Sequence, residues 1–443
     1  MITILAFIFS IFFIVFTSTR LKVYPFLSLI LGALIFGLIT GMPLNSIIEN
    51  INSGFGGTIG NIGIIIILGI IIGAFLENSG GAEAIANVVL KVLGRKNVHA
   101  AMASIGYIVS IPVFADSGFV ILSSLNRVLT KKAGLSLVGT SVALALGLTA
   151  THTMVPPTPG PIAAASILSA DLGLVILLGM VTSFVALIIP TIYARYCGTK
   201  MYVDPGLKAG TEVVSAPVHQ PTALKSLVPI LLPIVLIVLK SLADFPSHPF
   251  GEGQLRVIIG FIGNPLLALL IGVFFSFLLP AKFEMNMLST EGWTGKALMN
   301  AGTIIIITGA GGAFGKILQS SEIANLIGEN ITGAGIGIWL PFLIAAAIKT
   351  AQGSSTVAII TTAAIVAPLM TVLGFTTEIS KAMAVIAIGA GSAVVSHAND
   401  SFFWVILTMS GLNIKQGYRS HTIGTLILGL SAICFLSVLS IFI

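Results

Sequence analysis

Four short polar stretches carry the residues whose types and spacing could do chemistry, and each interrupts an apolar run. IKTAQGSSTVAII (348–360) places Lys349 just before Gln352, Gly353, Ser354, Ser355 and Thr356. One cation followed by amide, hydroxyl and backbone donors at the start of a helix suits a carboxylate. SHANDSFFW (396–404) gathers His397, Asn399, Asp400 and Ser401. IPVFADSGFV (111–120) brackets Asp116 and Ser117 between Pro112 and Gly118. THTMVPPTPGPIAAA (151–165) sets Thr151, His152 and Thr153 ahead of four prolines and a glycine, a run that cannot continue a helix.

Each stretch has a plainer alternative. Asp116 could cap the next half-helix, and the proline run could be a simple connecting loop. Lys349 could snorkel to an interface, and His397 could be a packing residue. The four polar side chains of HANDS (397–401) weigh against the last, because ionisable groups in a membrane are costly and mark pathways. Asp116 and Asp400 are the acidic residues of the four interruptions, so a proton-carrying role falls to them.

The elements that must position these residues are membrane helices. Of 443 residues, 56% are hydrophobic and 8% charged, against about 25% charged in soluble domains, and the mean hydropathy is +1.09. That excludes an ordinary soluble globular protein. The formal charge of +6 then marks cytoplasmic loops, not a nucleic-acid surface. Cys197 and Cys434 suit neither a disulfide framework nor a metal site. The N-terminal run has no basic residue ahead of it, so it reads as a retained span and not a cleaved signal.

About ten spans of roughly 20 apolar residues are expected, near 2–17, 23–41, 60–77, 135–153, 172–195, 226–242, 254–280, 297–315, 379–409 and 422–443. Blocks 97–132 and 333–372 are interrupted near their middles and read as re-entrant hairpins or paired short spans. Segments 80–94 and 321–332 read as interfacial helices, and GAGGAFG (309–315) as a site of close helix packing. The polar stretch 198–225 reads as a cytoplasmic linker between halves 1–197 and 226–443. With both termini outside, sixteen of the 21 Lys and Arg fall inside, the bias expected of cytoplasmic loops.

The halves echo one another. Ile85-Ala86-Asn87 matches Ile323-Ala324-Asn325, Ala115 matches Ala351, and His152 matches His397, in order and at similar offsets. In the charge-derived topology, partner spans run in opposite directions. Inverted repeats with paired broken helices point to a secondary transporter with its site near the bilayer midplane, since irregular backbone is tolerated only away from lipid.

FADSGFVIL, HTMVPPTPGPIAAA, AQGSSTVA and HANDSFFW together resemble the gluconate permease family, within the ion transporter superfamily, over nearly the whole chain. The resemblance implies proton-coupled transport of gluconate and related hydroxy acids. It implies that Lys349, Gln352, Ser354 and Thr356 contact the anion, and that His152, Pro156, His397, Asn399 and Asp400 complete the site. Two positions depart from the family pattern: Lys349 stands where Arg is expected, which weakens bidentate carboxylate binding, and Thr158 stands where His is expected. Smaller acids such as glycerate or D-serine are therefore candidate substrates as well.

The expectation is an all-α polytopic protein of a bacterial inner membrane, built from two inverted repeats. It would import a small hydroxy carboxylate with protons, needing no cofactor beyond the proton gradient and no metal. Lys349 and the 352–356 helix start would hold the carboxylate. His152, Thr153, Asn399 and Ser401 would bond hydroxyls, and Asp116 or Asp400 would take up the coupling proton. Alternatives are a sodium-coupled carboxylate symporter and an intramembrane hydrolase using Ser354 or Ser355. Partners are the anion and the lipid bilayer, with no nucleic acid; a homo-oligomer stays open. The orientation predicts that an alkaline phosphatase reporter fused after Ile443 is active in whole cells, and an inactive fusion would reverse the topology.

Overall fold

The computed structural model describes residues 2–93, 97–206, 220–244, 249–321, 323 and 337–442, and every regular element among them is helical. The first half contains α1 (Ile2–Thr19), α2 (Pro25–Ile39), α3 (Leu44–Asn78), α4 (Gly81–Leu93), α5 (Val98–Val109), α6 (Ala115–Lys132), α7 (Leu137–Met154), α8 (Pro159–Ile167) and α9 (Leu172–Lys200). The second contains α10 (Ala223–Ala243), α11 (Gln254–Ile262), α12 (Pro265–Ser276), α13 (Trp293–Gln319), α14 (Trp339–Gln352), α15 (Ser355–Val366), α16 (Glu378–Ala393), α17 (Ser401–Ser410) and α18 (Ile423–Leu439). A helical turn (Ile414–Gly417) and a π-turn (Tyr418–Thr422) lead into α18.

Six helical stretches among the described residues are long and apolar enough to cross a membrane, or seven if α11 and α12 form one bent span. The rest of the apolar length lies in the shorter α1, α2, α5, α15 and α17. Outer helices leave bulky apolar side chains exposed, such as Phe12 on α1 and Phe184, Ile188 and Ile192 on α9, as lipid-facing surfaces do. In contrast, α7 is buried almost from end to end, and α16 is buried from Ala382 to Ala393. A helix apolar on all sides belongs at a centre, and these two form the middle of the bundle.

All four expected interruptions are breaks in helices: between α5 and α6, α7 and α8, α14 and α15, and α16 and α17. The same order recurs in both halves: a long helix, a broken pair, a central helix, and a second break. The half-helices pack across the halves, α6 on α17 and α8 on α15, with Phe119 edge-on to Phe402 at 6.0 Å.

Two spans differ from expectation. The helix around 60–77 begins at Leu44, because the weakly apolar, glycine-rich stretch before it lies along α13. A Cβ at Gly54 would lie 2.6 Å from the Gly312 carbonyl oxygen, and one at Gly309 2.7 Å from the Phe55 ring. Close packing is thus the role of GAGGAFG. The run 254–280 is not one straight span: α11 and α12 meet at 61°, since Pro265 brings no backbone N–H and Asn264 caps the second piece through Leu266 N at 3.0 Å. Within segment 80–94, Gly81–Leu93 forms α4; most of 321–332, including Ala324 and Asn325, lies outside the described residues. The stretch after α9 is docked, with Ser136 Oγ donating to the Met201 carbonyl at 2.8 Å; residues 207–219 lie outside the described residues.

Glycine contacts recur in the two halves as well. A Cβ at Gly147 of α7 would overlap the Ala103 carbonyl of α5, and one at Gly391 of α16 would overlap the Phe342 carbonyl of α14. Gly60, on the open face of α3, has nothing nearby. Gly147→Ala is therefore expected to destabilise the detergent-solubilised protein by about 1–3 kcal/mol. Gly60→Ala should gain about 0.5–1 kcal/mol from helix propensity. Thermal unfolding of both variants checks the sign: equal shifts would contradict the packing.

Candidate functional site

The third and fourth breaks are built against each other. At the end of α14, Gly353 takes φ +94, and its N–H bonds the Lys349 carbonyl at 2.8 Å, a left-handed cap that favours glycine. A Cβ there would overlap the Asn399 carbonyl. The carbonyls near the end of α14 have no helical partners. The fourth break supplies them: His397 Nε2 bonds the Thr350 carbonyl at 2.8 Å, and Asn399 Nδ2 bonds Thr350 at 2.9 Å and Ala351 at 3.2 Å. A carbonyl only accepts, so His397 Nε2 carries the proton. The fourth break is braced in turn by α18. Thr425 Oγ1 accepts from Ser396 N at 3.1 Å, and Thr422 Oγ1 donates to the Ser396 carbonyl at 2.5 Å. Val395, beside it, is held at φ +50, a left-handed conformation that is unfavourable for a β-branched residue.

At the centre of this joint is a buried ion pair. Lys349 Nζ lies 2.6 Å from Asp400 Oδ2, with the residues 1% and 9% exposed. Lys349 also donates to the Gly353 carbonyl at 2.5 Å. Asp400 Oδ2 accepts from Ser396 Oγ at 2.5 Å, and Asp400 Oδ1 caps α17 through Phe402 N at 3.0 Å. Every oxygen of Asp400 is engaged, whereas an ammonium has three protons and only two of them are taken.

A cavity of about 300 Å³ opens beside this pair, and all four breaks contribute to its wall. Asp116, His152, Thr153, Lys349, Gln352, Ser354, Thr356, Asn399, Asp400 and Ser401 line it. Asp116 sits in the first turn of α6, after the N-cap position Phe114, and is exposed to the cavity; it does not cap the half-helix. Ser354 caps α15 through Val357 N at 3.3 Å, and Gln352 Oε1 accepts from Ser354 N at 3.1 Å. The Gln352 amide and the Ser354, Thr356 and Ser401 hydroxyls can still donate into the cavity. Thr153 Oγ1 donates to the Thr149 carbonyl at 2.9 Å.

Two residues expected at the site stand apart from the cavity wall. His397 braces α14, as described. Pro156 is buried within the second break, where it ends α7. The matched histidines thus differ: His152 lines the cavity, its Nδ1 buried and without a partner among the described residues and its ring 5.9 Å from that of Phe114, whereas His397 is spent on backbone.

Sequence reasoning passed over Ser396, Thr149 and Phe114, which also line the wall. Thr149 lies one helical turn before Thr153, a spacing that could have flagged it. Phe114 and the Thr422–Thr425 brace carry no local signal. Ser355 Oγ donates to the Ser392 carbonyl at 2.9 Å and Ser354 caps a helix, so neither serine is paired with a histidine as a nucleophile would be.

An all-helical bundle whose broken helices meet at a buried polar cavity is the architecture of a polytopic membrane transporter. The family model for GntP family permeases matches residues 2–442, and the chain belongs to that family. It is 33% identical over 435 residues to a gluconate permease of Pseudomonas aeruginosa, covering 96% of this chain and 94% of that one. It is 32% identical over 431 residues to the D-serine transporter DsdX of Escherichia coli, covering 96% and 95%. An uncharacterised permease of Haemophilus influenzae is 36% identical over 427 residues, covering 93% and 86%. Among solved structures, the YdaH transporter of Alcanivorax borkumensis superimposes with a TM-score of 0.58 at 17% identity over 90% of each chain. MtrF of Neisseria gonorrhoeae gives 0.58 at 16%, over 88% of this chain and 84% of that one. These two share the fold. The hydrolase alternative falls, since the family is one of permeases.

Breaking the buried pair from one side leaves an uncompensated charge. Lys349→Met is expected to cost about 3–5 kcal/mol of stability, and adding Asp400→Leu should recover much of it. Thermal unfolding in detergent measures both; a double variant less stable than Lys349→Met would contradict the pairing.

Proposed function

We propose that the protein is a proton-coupled symporter of the bacterial inner membrane that imports a small hydroxy carboxylate, gluconate first among the candidates. The observation that carries this reading is the Lys349–Asp400 pair on the wall of the cavity. The two charges cancel, yet one ammonium proton remains for a substrate carboxylate. The Gln352 amide and the hydroxyls of Ser354, Thr356 and Ser401 surround it with donors, and the His152 ring lines the same cavity. This set suits a carboxylate on a hydroxylated carbon chain. The gluconate and D-serine relatives, whose named substrates are small carboxylates bearing hydroxyls, support the class and leave the length of the chain to experiment.

Coupling follows from charge. With Asp116 ionised, a bound carboxylate would add a second net negative charge to the cavity. Two like charges about 4–6 Å apart repel by roughly 3–4 kcal/mol at an effective dielectric of 20. A proton on Asp116 removes that repulsion, so proton and anion enter together. Asp400 is the poorer carrier, because protonating it forfeits its bond to Lys349. The proton role is thereby assigned to Asp116, with Asp400 holding the cation in place.

The recurring order of elements and the exchanged packing of α6 with α17 and α8 with α15 support two repeats that rock about one site. His397 and Asn399 lock two of the breaks into one wall, and so serve the site through its backbone.

In proteoliposomes, an inward proton gradient is expected to drive gluconate accumulation, and a sodium gradient at fixed pH is not. Asp116→Asn should abolish gradient-driven accumulation while preserving gluconate exchange. Sodium-driven uptake, or Asp116→Asn vesicles that still accumulate on a proton gradient, would overturn the assignment.

A further inference from the structure

A second chamber of about 220 Å³ lies behind the central cavity, where the end of α3 meets the start of α13. Glu77, Ser117 and Trp293 line it, and the exposed Asn78 and Lys296 form its rim. The chamber is thus polar and opens to the surface. Asp116 lines the central cavity and its neighbour Ser117 lines the chamber, so the first turn of α6 belongs to the wall between the two spaces. A third void, of only about 10 Å³, lies between them and is lined by Gly69, Ile70, Pro112, Phe114, His152 and Pro157 among others. That is room for about one water at most. Phe114 lines all three spaces.

The rest of this constriction is backbone held by close contacts. A Cβ at Gly73 would overlap the Pro112 carbonyl, and one at Gly69 would lie 3.2 Å from the Pro157 carbonyl. Helix α3 therefore presses on both first-half breaks, and neither can yield locally. The Phe114 ring, half-buried and resting against His152, is the part that can swing on its own side-chain torsions.

We infer that Phe114 is the gate between the central cavity and this chamber, and that the chamber is the mouth through which a small carboxylate leaves the site. The inference rests on the transport reading above. The charge-derived topology places Lys296 on the cytoplasmic side, which makes this the inward mouth. The ring seals the site while the carboxylate binds; its rotation joins three voids into one path. Its contact with His152 ties that rotation to a residue of the binding cavity.

Cysteine probes test the gate without relying on transport. In a Cys197→Ala, Cys434→Ala background, Ser117→Cys reports the chamber and Ser401→Cys the central cavity. A charged, membrane-impermeant methanethiosulfonate is applied to inverted membrane vesicles. Ser117→Cys is expected to label whether position 114 is Phe or Ala. Ser401→Cys should change from unlabelled with Phe114 to labelled with Phe114→Ala. Labelling of Ser401→Cys from this face with Phe114 intact would overturn the gate. So would its continued protection in Phe114→Ala vesicles whose Ser117→Cys counterpart labels. If Phe114→Ala does not reach the membrane, Phe114→Val carries the same comparison. Gluconate uptake is the second readout: Phe114→Ala should lose accumulation and keep equilibration. If the wild-type chain moves no gluconate under any gradient, the transport reading fails, and the labelling result still decides the gate.

Discussion

The ion pair between Lys349 and Asp400 is the interaction on which the site depends. Each charge alone would be prohibitive at that depth. Together they are tolerable because each is also hydrogen-bonded, Lys349 to the Gly353 carbonyl and Asp400 to Ser396 Oγ and Phe402 N. The bonds that satisfy the pair are made by the breaks themselves. Gly353 ends α14, and Asp400 begins α17. Irregular backbone and buried charge thus solve one another's problem, since the free backbone groups of a broken helix are what a buried charge needs as partners.

This mutual satisfaction spreads outward. His397 and Asn399 bond the last carbonyls of α14, so the second break of the second half caps the helix that ends at the first. Ser396, the donor to Asp400, is held on both backbone sides by Thr422 and Thr425 ahead of and within α18. The central helices α7 and α16 carry none of this chemistry along most of their length. Their glycines let α5 and α14 approach backbone to backbone, and that approach brings the breaks to a common level. The result is a set of rigid joints within each wall of the site.

Much of this was legible in the chain. Proline runs and polar interruptions act locally on backbone hydrogen bonding, so PVFADSG, THTMVPP, AQGSS and SHANDS marked all four breaks, and most residues that line the cavity lie within them. The separate roles inside SHANDS were not legible. Its polar residues looked alike as ligands, yet His397 turned to backbone, Asp400 to Lys349, and Ser401 to the cavity. Side chains adjacent in sequence at a break point in different directions, and nothing local says which. The extra length of α3 was hidden for another reason: its glycine-rich start is too weakly apolar to read as a span and is helical because it packs on α13.

By itself, the sequence determined the solvent the protein lives in, the places where its helices break, and its family, because hydropathy, helix breaking and motif identity are properties of neighbouring residues. Tertiary structure alone decided that Lys349 and Asp400, 51 positions apart, neutralise each other, that the matched histidines differ in role, and that Phe114 stands between two chambers. Those are statements about distance through space, and in a bundle of broken helices distance along the chain does not set them.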